Sequence, residues 1–248
     1  MIVLKQAHEL EAMRASSNLA GRVRDKVAAA VTPGATTAEI ADYAGELIEA
    51  EGATCAFLGY RGFPGKICIS VNEEVVHGIP GPRVIEIGDV VSLDFGVLLD
   101  GFYGDTATTV LVGVTDPEVI RMVRVTERSL EDGLAQARKG GKLSDISHAI
   151  QKTVEGAGFS IVRDFVGHGI GRSLHEDPQV PNYGRAGRGP ALKSGMTLAV
   201  EPMVNLGKAG TLVLGDGWTV VARDRKPSAH FEHTIAIGED GVEILTQG

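Results

Sequence analysis

Two apolar runs flank a single turn in the segment Val90-Val-Ser-Leu-Asp-Phe-Gly-Val-Leu-Leu-Asp-Gly-Phe-Tyr-Gly-Asp-Thr-Ala-Thr-Thr-Val-Leu-Val112. Asp100-Gly101 is a strong signal for a two-residue hairpin turn. With that turn, Asp94 faces Ala107 across the hairpin. Asp105 then lies diagonally from Asp94 on the same face, within reach of a shared ion. Two carboxylates this close repel each other unless a proton or a cation lies between them.

The chain also contains an internal repeat of a helix followed by a strand. The helical segments 34–52 and 140–158 match at an offset of 106 residues, and the strand segment 88–94 resembles the segment 195–201 at an offset of 107. No Pro/Gly/Ser-rich linker separates the two copies. We therefore expect one catalytic domain over residues 1–248, with pseudo-repeats at roughly 1–113 and 114–248. Helical runs followed by strand runs predict an α+β fold with a pseudo-twofold axis, in which helices cover a mainly antiparallel sheet.

Local signals place the helices and the strands. Thr36 and Glu39 have the spacing of a capping box, and a helix is expected after them with one buried face. Further helices are expected over residues 6–31 and after Asp116-Pro117. The residues predicted for the buried face are Ile40, Tyr43, Ala44, Leu47 and Ile48. The predicted strands are Ile67–Val76, Val90–Val97, Thr106–Val112, Thr197–Val204, Trp218–Ala222 and Phe231–Ile237.

The second half supplies acids that match those of the hairpin. Glu201 lies at the position that matches Asp94, and Glu232 begins a final strand as Asp105 does. A lone acid in a strand is usually a turn or edge residue, but four at duplicated positions favour a shared site. His168, in Gly-His-Gly, is a fifth candidate ligand, because its flanking glycines allow close backbone approach. These oxygen-rich ligands predict two adjacent divalent metal ions, with Co, Mn, Fe, Zn or Ni as candidates.

Composition limits the other possibilities. Lys and Arg total 24 against 32 Asp and Glu, so the formal net charge is −8, and no nucleic-acid or membrane partner is expected. No apolar run reaches eighteen residues. The N-terminal residues carry charge where a signal peptide needs an apolar stretch. Cys55 and Cys68 are the only cysteines, and we expect them to be reduced thiols in a cytoplasmic protein.

Taken together, these residues and their surroundings closely resemble type I methionine aminopeptidase, of the pita-bread fold. The resemblance covers nearly the whole chain. The matching blocks are Phe57-Leu-Gly-Tyr-Arg-Gly-Phe-Pro, Cys68-Ile-Ser-Val-Asn-Glu-Glu-Val-Val-His-Gly-Ile-Pro, Gly167-His-Gly-Ile-Gly-Arg, His175-Glu-Asp-Pro and Asp216-Gly-Trp-Thr-Val-Val-Ala-Arg-Asp. Only 25 residues separate His175 from Glu201, which leaves no room for the long insertion of type II enzymes.

The resemblance implies removal of the initiator methionine from nascent polypeptides, with a small second residue preferred. It further implies that Asp105 and Glu232 bridge two metal ions, that Asp94 completes one site, and that His168 and Glu201 complete the other. By the same resemblance, Glu201 is expected also to take a proton from the attacking water. His175 is implied to donate to the carbonyl oxygen and His77 to contact the scissile amide, which are roles suited to imidazoles. We expect the nascent chain to be met at the ribosome by a monomeric enzyme.

The methionine pocket implied by the resemblance comprises Tyr60, Phe63, Cys68, Trp218 and neighbours, and His77 and His175 are also expected to bind substrate. Three positions depart from the common bacterial pattern. Phe57 replaces a frequent cysteine, Phe63 a frequent tyrosine, and Leu174 a frequent aromatic residue. All three keep the lining apolar, so a thioether is still expected to fit.

Two other functions are compatible with such a chain. One is an Xaa-Pro aminopeptidase or prolidase on the same fold, although those enzymes normally carry a sizeable extra N-terminal domain that these residues do not include. The other is a metal-free binding module, which has no reason to hold four carboxylates together unneutralised. The remaining histidines are expected to have structural roles. His8 and His148 lie in predicted helices, and His230 and His233 flank Glu232 and are expected at most to support the metal ligands from outside.

Overall fold

The computed structural model describes residues 1–248 and contains four α-helices and fifteen strands. The helices are α1 (Ala7–Ala30), α2 (Thr37–Ala50), α3 (Pro117–Leu134) and α4 (Leu143–Gly156). The strands are β1 (Thr54–Cys55), β2 (Cys68–Val71), β3 (Glu74–Val76), β4 (Asp89–Leu99), β5 (Phe102–Val112), β6 (Ser160–Ile161), β7 (Gly167–Gly169), β8 (Glu176–Val180), β9 (Thr197–Val200), β10 (Met203–Asn205), β11 (Thr211–Val213), β12 (Val220–Ala222), β13 (Ser228–His230), β14 (Glu232–Ile237) and β15 (Val242–Ile244). None of the helices combines the length and the apolar character needed to cross a membrane.

A nine-stranded antiparallel sheet forms the centre of the molecule. Its main path runs in the order β1-β4-β5-β14-β9-β7-β8, while β2 pairs with β4 and β15 pairs with β14. Two three-stranded sheets, β13-β10-β6 and β11-β12-β3, adjoin it. Helices α1 and α2 pack over β2 and β4 around one apolar core. Helices α3 and α4 pack around a second core with β9, β10 and β14. This is the predicted α+β arrangement, whereas the division of the chain into repeats at residue 113 stays a prediction.

The β4–β5 hairpin has the predicted register. Asp100 and Gly101 form the turn, both with positive φ (50° and 78°), as a type I′ turn requires. Asp94 pairs with Ala107, and Asp105 pairs with Gly96. This turn is local in sequence and its backbone geometry is narrowly defined, so it determines which side chains of the two strands share a face.

The predicted N-termini of helices α2 and α3 are also confirmed. In α2 the Thr36 hydroxyl accepts a hydrogen bond from the Glu39 N–H, and the Glu39 carboxylate accepts one from the Thr36 N–H. In α3 the Asp116 carboxylate caps the helix by accepting from the Glu118 N–H. One predicted core residue is wrong: Tyr43 is 38% exposed, and Ala41 is buried on α2 instead. The tyrosine lies at the margin of the apolar stripe, where its polar hydroxyl is better solvated.

Two predicted strands are each divided in the structure. Residues 67–76 form β2 and β3, separated by a turn in which Asn72 has a φ of 60°. Residues 197–204 form β9 and β10, separated at Glu201-Pro202. Proline has no N–H to donate to a ladder, so β9 cannot continue through Pro202. The break leaves the Glu201 carbonyl outside the sheet, where the Asn182 side-chain amide donates to it at 3.0 Å.

Candidate metal centre and active site

The five side chains predicted to bind metal come from five neighbouring strands. Strands β4, β5, β14, β9 and β7 lie side by side in the central sheet. They carry Asp94, Asp105, Glu232, Glu201 (immediately after β9) and His168, in that order. Ligand atoms of Asp105, His168 and Glu232 lie within 4.8 Å of one another. The His168 Nε2 atom is also 3.6 Å from a Glu201 carboxylate oxygen.

Strand register explains why the acids meet. Asp94 and Glu232 both pair with Ala107, one from each side of β5. Directly paired residues project from the same face of a sheet, and so do residues two apart along a strand. Asp105 lies two positions before Ala107 and therefore shares that face. Three carboxylates from β4, β5 and β14 are thus directed to one side of the sheet.

The carboxylates are buried without enough protein partners. Asp105 is 4% exposed and Glu232 is 2% exposed. One oxygen of each, and one oxygen of Asp94, is buried with no hydrogen-bond partner. Leaving a buried charged oxygen unpaired costs several kcal/mol in order of magnitude, so such groups are normally paired or bind a cation. The unpaired oxygens therefore fit a site for divalent metal ions.

The electrostatics of the site agree with that fit. Burial raises the pKa of Asp94 to about 7. Burial and the neighbouring carboxylates raise the pKa values of Asp105, Glu201 and Glu232 well above their usual range. These four groups cannot all be ionised near neutral pH unless positive charge is added between them. Divalent cations supply that charge, and oxygen-rich ligands with one imidazole suit them.

His168 has the tautomer that a metal ligand needs. Burial lowers its pKa to about 3, so the ring is neutral. Its Nδ1 lies 2.9 Å from the Gly169 carbonyl oxygen. Because a carbonyl can only accept, Nδ1 carries the proton and donates. The lone pair of Nε2 is then free on the side of Asp105 and Glu201, as in metal sites where a backbone carbonyl fixes the ligand histidine.

The glycines around His168 let β7 approach its neighbouring strands. Their predicted role, close approach of the backbone to a ligand, stays a prediction. A Cβ on Gly167 would lie 2.3 Å from the Ala199 carbonyl oxygen, and one on Gly169 would lie 2.1 Å from the Asp177 carbonyl oxygen. Both contacts are too short for any side chain. The two glycines therefore set the position of the backbone that carries His168.

Gly169→Ala is expected to destabilise the protein and weaken its metal binding. The added methyl group must push β7 away from β8, at a cost of about 1–3 kcal/mol. For a chain of this size each kcal/mol lowers the Tm by about 2–4 °C. Thermal unfolding and a metal titration measure the two effects. Gly156→Ala, at a position in α4 with open space around it, is the matched control and should neither lower the Tm nor weaken metal binding. A Gly169→Ala protein with unaltered Tm and metal affinity would contradict this role of the glycine.

Metal uptake is expected to release protons near neutral pH. A carboxyl group with a raised pKa holds its proton until metal displaces it, so affinity should rise between about pH 6 and 8 as Asp94 titrates near 7. In the metal-free protein the folded state binds more protons than the unfolded state between about pH 4 and 7, so stability should fall as the pH rises through that window. Calorimetric titration in buffers of different ionisation enthalpy counts the protons released. Asp94→Asn should release fewer, and metal binding with no proton release would contradict the raised pKa values.

A small apolar cavity opens beside the metal centre. Its lining contains all eight residues predicted to bind substrate, together with Asp94. They are Phe57, Tyr60, Phe63, Cys68, His77, Leu174, His175 and Trp218. Phe63 and Trp218 pack edge to face at 5.2 Å between ring centroids. Cys68 pairs with Asp94 across β2 and β4, so the floor of the cavity is continuous with the metal centre.

Two further histidines stand at the rim of the cavity. The ring of His175 lies 4.1 Å from that of His168, centroid to centroid. His77 packs edge to face against Phe165 and Trp218, at 5.5 and 6.3 Å. It has a φ of 60°, a left-handed conformation that costs a non-glycine residue about 1–3 kcal/mol and is frequent at functional sites. Burial lowers the pKa of His77 to about 4, so this imidazole is neutral near pH 7.

Two further residues lie around Glu201. His230, expected at most to support the site from outside, is only 2% exposed, and its unpartnered Nε2 lies 3.9 Å from a Glu201 oxygen. Asn182, which no motif indicates, is fully buried and donates a hydrogen bond to the Glu201 carbonyl. No local pattern indicates either contact, because both depend on strands distant in sequence. His233 fits its structural reading, since its Nδ1 pairs with the Thr246 hydroxyl at 2.8 Å.

Comparison with known proteins agrees with this geometry. The model of metallopeptidase family M24 matches residues 11–239. The chain is 50% identical to the methionine aminopeptidase of Clostridium perfringens, over 99% of each chain. It matches the crystal structure of methionine aminopeptidase from Thermotoga maritima with a TM-score of 0.98 and 46% identity, over the full length of both. The prolidase of Pyrococcus furiosus matches with a TM-score of 0.79 and 20% identity, over 99% of this chain and 66% of that one, which is a likeness of fold alone.

A curled antiparallel sheet that gathers acids and a histidine on one face, beside an apolar pocket, is the arrangement of a pita-bread metallopeptidase. The chain belongs to metallopeptidase family M24 and, within that family, to the methionine aminopeptidases. The resemblance drawn from the sequence motifs is confirmed. The individual roles assigned to the site residues remain predictions.

Proposed function

We propose that this enzyme removes N-terminal methionine from nascent polypeptides, using two divalent metal ions held by Asp94, Asp105, His168, Glu201 and Glu232. The observation that carries the proposal is the continuity between the apolar cavity and the buried acids through Asp94. A methionine side chain in the cavity would have its backbone beside the metal centre. The names of the full-length relatives support the same substrate.

The fit of the five side chains to a metal pair rests on their chemistry. Three buried carboxylate oxygens lack partners, and the free lone pair of His168 is on the same side. When bound, divalent ions supply Lewis acidity, which polarises a carbonyl group and makes a water molecule more acidic. The protein contributes the ligand geometry and a site with little access to bulk water, since Asp105, His168 and Glu232 are all buried.

Glu201 is proposed to accept the proton of the attacking water. It lies at the end of β9, where the Pro202 break frees it from the ladder and Asn182 fixes its backbone. Its side chain lies beside the His168 Nε2 atom, 3.6 Å away, and so would lie next to a water activated by the metal ions. A carboxylate in that position can take the proton of the water, and the same group can then return it to the leaving amine.

His175 and His77 are proposed to act on the peptide itself. An imidazole N–H of His175 would donate to the scissile carbonyl oxygen as negative charge develops there. His77 would contact the scissile amide, since it lines the same cavity. Both rings are neutral near pH 7, because burial is the main cause that lowers their pKa values. A neutral imidazole can donate one hydrogen bond without adding a buried charge.

The cavity lining favours an unbranched apolar side chain. Phe57, Phe63 and Leu174 are all buried, and with Trp218 they present carbon surface to the space. A flexible, polarisable thioether adapts well to such aromatic walls. Replacing a frequent cysteine with Phe57 and a frequent aromatic residue with Leu174 changes the shape of the lining but keeps its apolar character. The expected consequence is altered inhibitor selectivity with an unaltered reaction.

The biological setting follows from the substrate. An initiator methionine is exposed on a chain still being synthesised, so we propose that the enzyme acts in the cytoplasm on polypeptides at the ribosome. We further propose that it acts as a monomer and contacts no nucleic acid directly. The net charge of −8 supports the last point, because an acidic surface repels the phosphate backbone.

A peptide panel tests the proposal against its rival. Metal-reconstituted enzyme should hydrolyse Met-Ala-Ser faster than Met-Leu-Ser by at least about tenfold, which is the usual scale for rejecting a side chain that does not fit. It should leave Ala-Pro-Ser intact. Cleavage of Ala-Pro-Ser in preference to Met-Ala-Ser would instead support an Xaa-Pro peptidase. Absence of hydrolysis on every peptide, at every metal tried, would support a binding module.

A further inference from the structure

The Tyr60 side chain contacts the catalytic candidate His175 in two ways. Its hydroxyl oxygen lies 2.9 Å from the Nδ1 atom of His175. The two rings also stack, with centroids 5.3 Å apart and planes 15° from parallel. His175 further contacts the His168 ring at 4.1 Å. One ring nitrogen of His175 is therefore occupied by Tyr60, and the ring as a whole is held between neighbours.

A tight turn fixes Tyr60 in this position. Gly59, Arg61 and Gly62 have positive φ values of 80°, 50° and 90°. The Tyr60 N–H donates to the Phe57 carbonyl, and the Phe63 N–H donates to the Tyr60 carbonyl, both at 2.9 Å. The backbone of Tyr60 is therefore closed on both sides by hydrogen bonds. Its ring has few alternatives to the observed contact with His175, and the hydroxyl is presented to Nδ1 by a defined structure.

The chemistry of imidazole determines which atom donates the hydrogen bond in this contact. A neutral ring has one N–H and one bare nitrogen, and the partner of one nitrogen determines the state of the other. Since Nδ1 faces the Tyr60 hydroxyl, Nε2 is the nitrogen left for a substrate. Nε2 can donate to a carbonyl oxygen only if it carries the proton. In that tautomer Nδ1 is an acceptor, and the Tyr60 hydroxyl must be its donor.

We propose that Tyr60 is a positioning residue that holds His175 in the Nε2–H tautomer, ready to donate to the scissile carbonyl. This inference rests on the role of His175 in the proposed function. Tyr60 also lines the methionine cavity, next to Phe57 and Leu174. A side chain that fills the cavity packs against the same ring that orients His175. Tyr60 thus couples recognition of the methionine side chain to stabilisation of the developing oxyanion.

The first test is spectroscopic and does not depend on turnover. Enzyme labelled with ¹⁵N-histidine and loaded with diamagnetic Zn²⁺ should show His175 with a protonated Nε2 and a bare Nδ1. Tyr60→Phe keeps the stacked ring but removes the hydroxyl, so His175 should become a mixture of tautomers. Tyr103→Phe is the matched control, because no hydrogen bond joins Tyr103 to His175, and its spectrum should match wild type. A protonated Nδ1 in the wild-type enzyme, or an unchanged spectrum in Tyr60→Phe, would overturn the proposal.

The second test is a kinetic double-mutant cycle on Met-Ala-Ser. Tyr60→Phe should lower kcat about tenfold, the scale of one lost hydrogen bond to a catalytic group, with KM changed less than about twofold. In a His175→Ala background the same change should have almost no effect on kcat, because Tyr60 would have nothing left to position. Equal losses in both backgrounds would mean that Tyr60 acts only through the cavity, which overturns the proposal. If His175→Ala itself kept full kcat, the assignment of His175 in the proposed function would fail, and this inference with it.

Discussion

Glu201→Gln is expected to abolish most turnover while leaving the protein folded and able to bind at least one metal ion. Glutamine keeps the shape of the side chain and one acceptor oxygen but loses the charge and the basicity. General base catalysis contributes about 10²–10⁴-fold to the rate, and a loss of kcat in that range is expected. The variant should still bind a methionine-like inhibitor, because the cavity does not include Glu201.

Comparison with Asp94→Asn separates the loss of a proton acceptor from the loss of a metal ligand. Both residues belong to the same group of acids, but only Glu201 is proposed to take a proton. Asp94→Asn should mainly weaken metal occupancy, and its activity should recover in part when excess metal is added. Metal content and kcat are measured for both variants over a range of Mn²⁺ concentrations. Recovery of Glu201→Gln with excess metal would mean that another group is the base and that Glu201 is a ligand only.

His175→Ala should lower kcat by about 10²–10³-fold, which is the usual cost of losing one oxyanion donor. A donor of this kind acts on the transition state, so KM should change far less than kcat. Metal content should stay near that of the wild-type enzyme, since His175 is not among the five proposed ligands. His8→Ala, at an exposed position on α1, is the matched control and should keep full activity. A variant that lost its metal ions together with its activity would show that His175 is a ligand and that its assignment is wrong.

Local signals in the sequence were sufficient for the central hairpin and for the ends of the helices. The Asp100-Gly101 turn specifies its own geometry, so the pairing of Asp94 with Ala107 follows from residues close together in the chain. The capping box at Thr36 and Glu39 is equally local. Such features depend on few residues, and their energetics differ little from one protein to another.

The convergence of the site could be predicted only with the repeat and the family motifs. Spacing alone does not reveal that β14 lies beside β5, or that β7 lies two strands further on. The matching positions of Asp94 and Glu201 in the two repeats indicated it, and the motifs supplied His175 and His77. The contacts of His230 and Asn182 with Glu201 gave no such signal, because each arises from the packing of distant segments.

Other details depended on competition between local and tertiary effects. Tyr43 has the spacing of a core residue, yet its hydroxyl keeps it at the surface. The strand predicted through Val204 is interrupted because Pro202 cannot donate to the ladder. That interruption places Glu201 at a strand end, with a carboxylate oxygen 3.6 Å from the His168 Nε2 atom. The purpose of Gly167 and Gly169 was likewise visible only once the neighbouring strands were in place.

The most direct test of the buried acids as a catalytic metal centre is a metal titration of chelated enzyme, followed in parallel by calorimetry and by methionine release from Met-Ala-Ser. Exhaustive chelation should abolish activity, and added Mn²⁺ or Co²⁺ should restore it as the sites fill. Asp105→Asn, which alters a buried acid at the centre of the cluster, should bind metal weakly and stay inactive. Undiminished methionine release from metal-free enzyme would contradict the metal-dependent mechanism.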